Sequence, residues 1–190
     1  MRRIGIFGGT FDPVHVGHIV VAVWVRDALD LDRVDLVVAH EPWQKLDRPV
    51  LSPARDRLAM VEAAVDGIDG VVASSVEIDR GGLTYTVPTL EAYRSDNAED
   101  ALYLIVGSDA AATMDTWHRY PEIAELAEVV VVDRPGAVGG RPPVAHQVVE
   151  CPLVDLSSTM VREWAEAGRP LDGLVPPAAL AYGRKAGLYG

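Results

Sequence analysis

Two histidines three residues apart, His15 and His18, stand behind a pair of glycines in the stretch Gly8-Gly-Thr-Phe-Asp-Pro-Val-His-Val-Gly-His18. On the opening turn of a helix, imidazoles at this spacing face one ligand, and each donates to phosphate oxygens when suitably protonated. Gly8 and Gly9 let the backbone approach that ligand closely, Thr10 and Asp12 offer hydrogen bonds, and Pro13 stiffens the exit. Gly17 keeps the helix start uncrowded, where unpaired N–H groups and the positive dipole end favour an anion. Two readings stand side by side: a capping histidine next to an exposed one, or phosphate stabilisation in nucleotidyl transfer. No third metal ligand is evident, so no metal site is expected here. The stretch is not a Walker loop, because no Gly-Lys-Ser/Thr follows, and it lacks Gly-x-Gly-x-x-Gly spacing.

A second stretch with chemical potential lies far downstream. Ser157-Ser-Thr-Met-Val-Arg162 reads as a helix start, with cap hydroxyls at Ser157 to Thr159 and a guanidinium fork in the first turns that suits a phosphate. A plain cap followed by a solvated arginine is the alternative. Lysine occurs only at positions 45 and 185, so Lys45 in Trp43-Gln-Lys45 is a candidate compact ammonium, with a solvated loop lysine as the other reading.

These residues need a frame, and the chain has the pattern of one. Apolar runs at Arg3 to Phe7, Val34 to Val38, Val71 to Val76, Ala101 to Val106, Val129 to Val132 and Gln147 to Glu150 predict strands. Between and after them, helices are expected at Gly17 to Leu29, Pro53 to Val65, Pro88 to Arg94, Ser108 to Met114, Tyr120 to Ala127, Ser158 to Ala167 and Pro177 to Ala186. Strands apolar on both faces, alternating with helices, predict a doubly wound α/β fold: a mostly parallel sheet with helices on both faces. Ligands of such sheets sit beyond the carboxyl ends of the strands, which is where the glycine-histidine turn falls. The stretch Arg134 to Val144 holds three Pro and three Gly and reads as a loop or lid. One domain spanning 1–190 is expected, with a helical part from about 157 to 190 packed on it.

Composition narrows the partners. A formal net charge of −11 argues against nucleic acid or an anionic membrane surface, and a single cysteine excludes an internal disulfide framework. The absence of a long apolar segment points to a cytoplasmic protein. A homo-oligomer is compatible with the sequence.

The two motifs together, in this order, resemble those of nucleotidyltransferases with a His-x-Gly-His motif, and within them the bacterial nicotinate-mononucleotide adenylyltransferases. The first matches the signature from Gly8 to His18, and the second matches a Ser-Ser-Thr-x-x-Arg motif that opens a late helix. The resemblance implies a Rossmann-like fold and adenylyl transfer from ATP to nicotinate mononucleotide, with Mg²⁺ arriving on the ATP. It implies that His15, His18, Lys45 and Arg162 serve the reacting phosphates. ATP contacts are implied at Gly8, Gly9, Thr10, Phe11 and Gly17 near the first motif, and at Ser157, Ser158 and Thr159 in the second. Gly107-Ser-Asp109 is similar to a nucleotide-binding marker of the family, so Gly107 and Asp109 join that set. So does Arg134, in Arg134-Pro-Gly136. Arg80-Gly-Gly-Leu-Thr-Tyr-Thr86 is similar to the segment that contacts the nicotinate, which puts Thr84 and Tyr85 on the acceptor together with Trp117. Taken alone, Asp109 also reads as a helix cap and Trp117 as a core aromatic. The chain departs from the family after its second strand: Val38-Ala-His-Glu-Pro-Trp-Gln-Lys45 replaces the usual Val-Pro and His-Lys loop. Phosphopantetheine adenylyltransferase, a cytidylyltransferase, or an idle nucleotide-binding protein are the competing readings.

Overall fold

The computed structural model describes residues 1–42, 51–133, 140–152 and 154–189. Six strands form one parallel sheet: β1 (Arg3–Gly9), β2 (Arg33–Val38), β4 (Val71–Ser74), β6 (Ala101–Gly107), β7 (Glu128–Asp133) and β8 (His146–Glu150). Their spatial order is β4-β2-β1-β6-β7-β8. Counted along the chain this is the doubly wound order 3-2-1-4-5-6, whose direction reverses between β1 and β6. A crevice therefore opens beyond Gly9 and Gly107, the last residues of those two strands.

Alternation along the strands explains why both faces are covered. Tyr103, Ile105, Val130 and Val132 join one apolar cluster, with Ala22 and Val25 of α1 (Val16–Ala28) and Leu58, Met60 and Val61 of α2 (Ala54–Val65). Val161 of α7 (Ser158–Glu166) and Ala179 and Leu180 of α8 (Pro177–Lys185) belong to the same cluster. The intervening Leu102, Leu104, Val106, Val129 and Val131 pack on the opposite face, against Val87 and Leu90 of α4 (Thr86–Asp96) and Ile123 of α6 (Ile123–Leu126). A strand buried on both faces reads as a continuous apolar run, as these do.

Some elements differ from expectation. The third strand stops at Ser74, and Val76 instead opens a short helix, α3 (Val76–Arg80), with Glu77 and Asp79 in its first turn. Acidic groups there favour the helix, and the Ser75 hydroxyl donates to Asp79 Oδ2 at 2.6 Å. The helix expected from Ser108 to Met114 is only α5 (Ser108–Ala111), followed by a separate 3₁₀ turn at Met114–Thr116. Tyr120–Glu122, carrying Pro121, is also a 3₁₀ turn and leads into α6. A two-stranded parallel sheet of β3 (Glu41–Pro42) and β5 (Leu83–Thr84) lies outside the main one. Residues 134–139 of the expected loop or lid fall outside the described residues. No helix is long and apolar enough to cross a membrane among the described residues.

Candidate active site

The turn after β1 is held from behind by three donors that grip the carbonyls of Thr10, Asp12 and Pro13. Arg57 Nη1 donates to Thr10 O at 2.7 Å, Arg162 Nη1 to Asp12 O at 2.5 Å, and Ser158 Oγ to Pro13 O at 2.9 Å. Arg57 is 1% exposed and also donates to the carbonyls of Ala39, His40 and Ser52, so it ties the ends of β1 and β2 to the start of α2. Burial lowers its pKa from the usual guanidinium range. The buried Asp12 carboxylate accepts from the Tyr189 hydroxyl, which also meets Ser52 Oγ at 2.8 Å. Burial, and next the hydrogen bond to Asp12, push the Tyr189 phenol up.

The histidine pair stands on this turn. The backbone N–H of His15 donates to His18 Nδ1 at 3.1 Å, and the two rings stack with centroids 3.7 Å apart. An Nδ1 that accepts is unprotonated, so a neutral His18 carries its proton on Nε2. His15 is buried, its Nδ1 has no hydrogen-bond partner among the described residues, and burial pushes its pKa down to about 4. Gly17 makes room for this ring: a Cβ there would sit 3.0 Å from His15 Nδ1. Gly9 does the same for Phe11, whose ring would lie 2.7 Å from a Cβ. Phe11 is itself buried and sets its ring edge against His18 at 4.9 Å between centroids. It supports the histidine from below.

Two cavities open on the two sides of the β1 and β6 ends. His15, Gly17 and His18 line one of them together with Gly107, Ser108, Asp109, Asp133, Cys151, Ser157 and Ser158. Gly8, Gly9 and Thr10 line the other cavity instead, with Thr84, Thr86, Glu77 and Trp117. A Cβ at Gly8 would meet nothing within 4 Å, so it would project into open space at the cavity. Trp117 is half-buried, and its Nε1 is enclosed without a hydrogen-bond partner among the described residues.

Other predicted residues stand elsewhere. Tyr85 is the residue before α4, and its ring lies against His118 at 4.7 Å between centroids. Thr159 is exposed and accepts from Arg162 Nη2 at 3.2 Å. Arg162 borders a separate depression with Ala165, Glu166 and Tyr189. Lys45 and Arg134 lie outside the described residues. Sequence reasoning missed Arg57, Glu77 and Tyr189. Arg57 has the spacing of any helix-surface arginine, Glu77 falls just past a segment read as strand, and the Tyr189 to Asp12 pair spans 177 positions. Among the described residues, no group of three or more His, Cys, Asp or Glu side chains could hold a metal ion.

Comparison with known proteins follows the same lines. The family model for cytidylyltransferase-like proteins matches residues 6–164. A Mycolicibacterium vanbaalenii protein named "probable nicotinate-nucleotide adenylyltransferase" is 40% identical over 99% of this chain and 92% of its own length. One of the same name from Saccharopolyspora erythraea is 43% identical over 99% of this chain and 90% of its own. Among solved structures, the Plasmodium falciparum nicotinic acid mononucleotide adenylyltransferase complexed with NaAD superposes with a TM-score of 0.82 at 16% identity, covering 100% of this chain and 98% of that one.

Proposed function

The chain belongs to the cytidylyltransferase-like family and, within it, to the nicotinate-nucleotide adenylyltransferases, and from that premise we propose that it transfers the adenylyl group of ATP to nicotinate mononucleotide. The products are nicotinate adenine dinucleotide and pyrophosphate. The observation that carries this reading is the pair of cavities flanking the β1 and β6 ends, one of them opened by the stacked histidines. Two substrates that react phosphate to phosphate need two such compartments meeting at one backbone edge.

The acceptor phosphate attacks the α-phosphorus of ATP in line, a new P–O bond forms, and the bond to the bridging oxygen breaks as pyrophosphate leaves. The attacking oxygen is already anionic, so no general base is needed, and no covalent enzyme intermediate forms. Catalysis then rests on positioning and on neutralising the charge that develops on the leaving group. ATP occupies the cavity of His15, His18, Gly107, Asp109, Ser157 and Ser158, and the pyridine ring enters the cavity of Thr84 and Trp117. His18 donates from Nε2. His15 meets the phosphates as a neutral ring, and their negative charge favours its protonation. Lys45 and Arg162 approach the β and γ groups, which for Arg162 requires exchange of its Asp12 carbonyl contact for the ligand. A Mg²⁺ ion bound to the ATP would supply neutralisation of triphosphate charge.

Pyrophosphate release measured with ATP across a panel of acceptors tests the proposal. Turnover with nicotinate mononucleotide, well above that with phosphopantetheine, is the expected result. Release only with phosphopantetheine, or only with CTP as donor, would overturn the substrate, and no release with any pair would point to an idle binding protein.

A further inference from the structure

The wall of the acceptor cavity contains a charged side chain that the reaction just described does not use. Glu77, on α3, is 5% exposed and lines the cavity beside Thr84, Thr86 and Trp117. Its Oε1 accepts from the Thr89 hydroxyl at 2.6 Å, and it is also hydrogen-bonded to the side chain of Thr84. Thr89 accepts in turn from Arg80 Nη1 at 3.2 Å, and Thr84 Oγ1 accepts from the backbone N–H of His40 at 3.0 Å. A continuous chain of hydrogen bonds thus runs from the loop after β2, through β5, to α3 and α4, with the carboxyl group at its centre. Burial pushes the Glu77 carboxyl up, and the Thr89 hydroxyl and the Arg80 charge pull against this.

We infer that Glu77 is a positioning residue for the pyridine-nucleotide acceptor, fixing the β5–α4 corner through the Thr84 and Thr89 hydroxyls; the inference rests on the proposed function. The two oxygens of a carboxylate can accept from both hydroxyls at once, and each of those hydroxyls has a single proton to give. With its proton directed at Glu77, Thr84 keeps one rotamer and offers any ligand a lone pair only. Thr89 is 2% exposed and does not line the cavity, so it feels the acceptor only through this network. Losing Glu77 removes the acceptor of the half-buried Thr84 hydroxyl and leaves the buried Thr89 hydroxyl only the Tyr85 carbonyl, at 3.1 Å, so the corner that shapes the ring site relaxes. The nucleotide cavity shares none of these side chains.

The test is steady-state kinetics on purified Glu77→Gln and Thr89→Val beside the wild type, with a melting curve for each. Glutamine keeps one acceptor oxygen but turns an NH₂ toward the second hydroxyl, and valine keeps the volume of Thr89 while deleting its donor. Expected is a rise in KM for nicotinate mononucleotide of roughly 5- to 30-fold, with KM for ATP and kcat at saturation little changed. Thr89→Ser, which restores a donor, should return the acceptor KM toward wild type. If Glu77→Gln does not fold, the Thr89→Val and Thr89→Ser pair decides alone. Variants with lowered melting temperatures but an unmoved acceptor KM would overturn the inference and leave the proposed function standing. A wild-type protein that leaves nicotinate mononucleotide untouched would overturn both.

Discussion

Replacing Gly17 by alanine sets two effects of opposite sign against each other. Gly17 is the second residue of α1 and has no positive φ, so alanine fits its backbone and is worth ~0.5 to 1 kcal/mol in helix propensity. The added Cβ, however, would sit 3.0 Å from His15 Nδ1, 3.1 Å from His15 Cε1 and 3.5 Å from Val154 Cγ1. Carbon contacts are comfortable at about 3.5 to 4.0 Å, so the ring must retreat by several tenths of an ångström. The His15 ring is buried and stacked on His18 at 3.7 Å, and the displacement therefore passes to the second imidazole. Strain and propensity nearly cancel in stability, leaving the melting temperature within about 4 °C of wild type. Catalysis has no compensating gain. Misplacing a donor by a fraction of an ångström, where a full ångström costs about 100-fold, predicts kcat lower by roughly 10- to 100-fold. Pyrophosphate release at saturating ATP and nicotinate mononucleotide reads this directly. A well-folded Gly17→Ala protein turning over at the wild-type rate would refute the argument that Gly17 makes room for a catalytically placed ring.

His18→Ala should lower kcat by at least ~100-fold with a far smaller change in KM for ATP, since a donor to developing charge acts mainly in the transition state; turnover near the wild-type rate would remove it from the mechanism. His15 should make the fold acid-sensitive: the folded state holds its pKa at about 4, below the unfolded value near 6.5, so the unfolded chain binds the proton first. Stability is intact above pH 6.5 and falls by up to roughly 3 kcal/mol toward pH 4, and denaturant melts at several pH values should show a shallower fall for His15→Gln. Arg162→Ala should slow turnover and also lower the melting temperature by a few degrees, because Asp12 O loses a donor; a loss of activity with an unmoved melting curve would mean that this contact contributes nothing to the fold.

Much of the frame was legible because its signals are local. Val129 to Val132 is β-branched throughout, and a strand covered on both faces needs nothing else. The helix start at Ser158 followed from its cap, where Ser157 Oγ accepts from the Met160 N–H at 3.2 Å, and the first helix opens at Val16, one residue before the expected Gly17. Where a few residues are decided by their surroundings, the pattern fails. The paired strands Glu41–Pro42 and Leu83–Thr84 are two residues each, too short for any period, and exist because the chain crosses itself there. The same division holds at the site. Residue type and spacing singled out the histidine pair and Ser157 to Ser158, and all line one cavity. That Gly8 to Thr10 face the other cavity depends on which side of β1 the turn leaves, which no local signal encodes.

Charge gives the architecture its logic. Both proposed substrates are anionic and the chain itself carries −11, yet neither cavity is lined by a lysine or arginine among the described residues. Arg57 and Arg162 instead grip the carbonyls of Thr10 and Asp12. Because the N–H of a trans peptide points away from the carbonyl before it, fixing Thr10 O on the Arg57 side turns the Phe11 N–H to the opposite side. At this peptide the Arg57 guanidinium acts by orienting a backbone dipole. Preset dipoles need not reorganise when charge moves along the phosphate chain, whereas flexible cationic side chains would first have to be gathered and desolvated. The stacked histidines obey the same logic, since two protonated rings 3.7 Å apart would repel each other until a phosphate arrived to separate their charge. An acidic protein can thus hold two anions at one edge by placing fixed donors there, with Arg57 kept one layer behind and Arg162 released to the phosphates only when it exchanges its carbonyl contact.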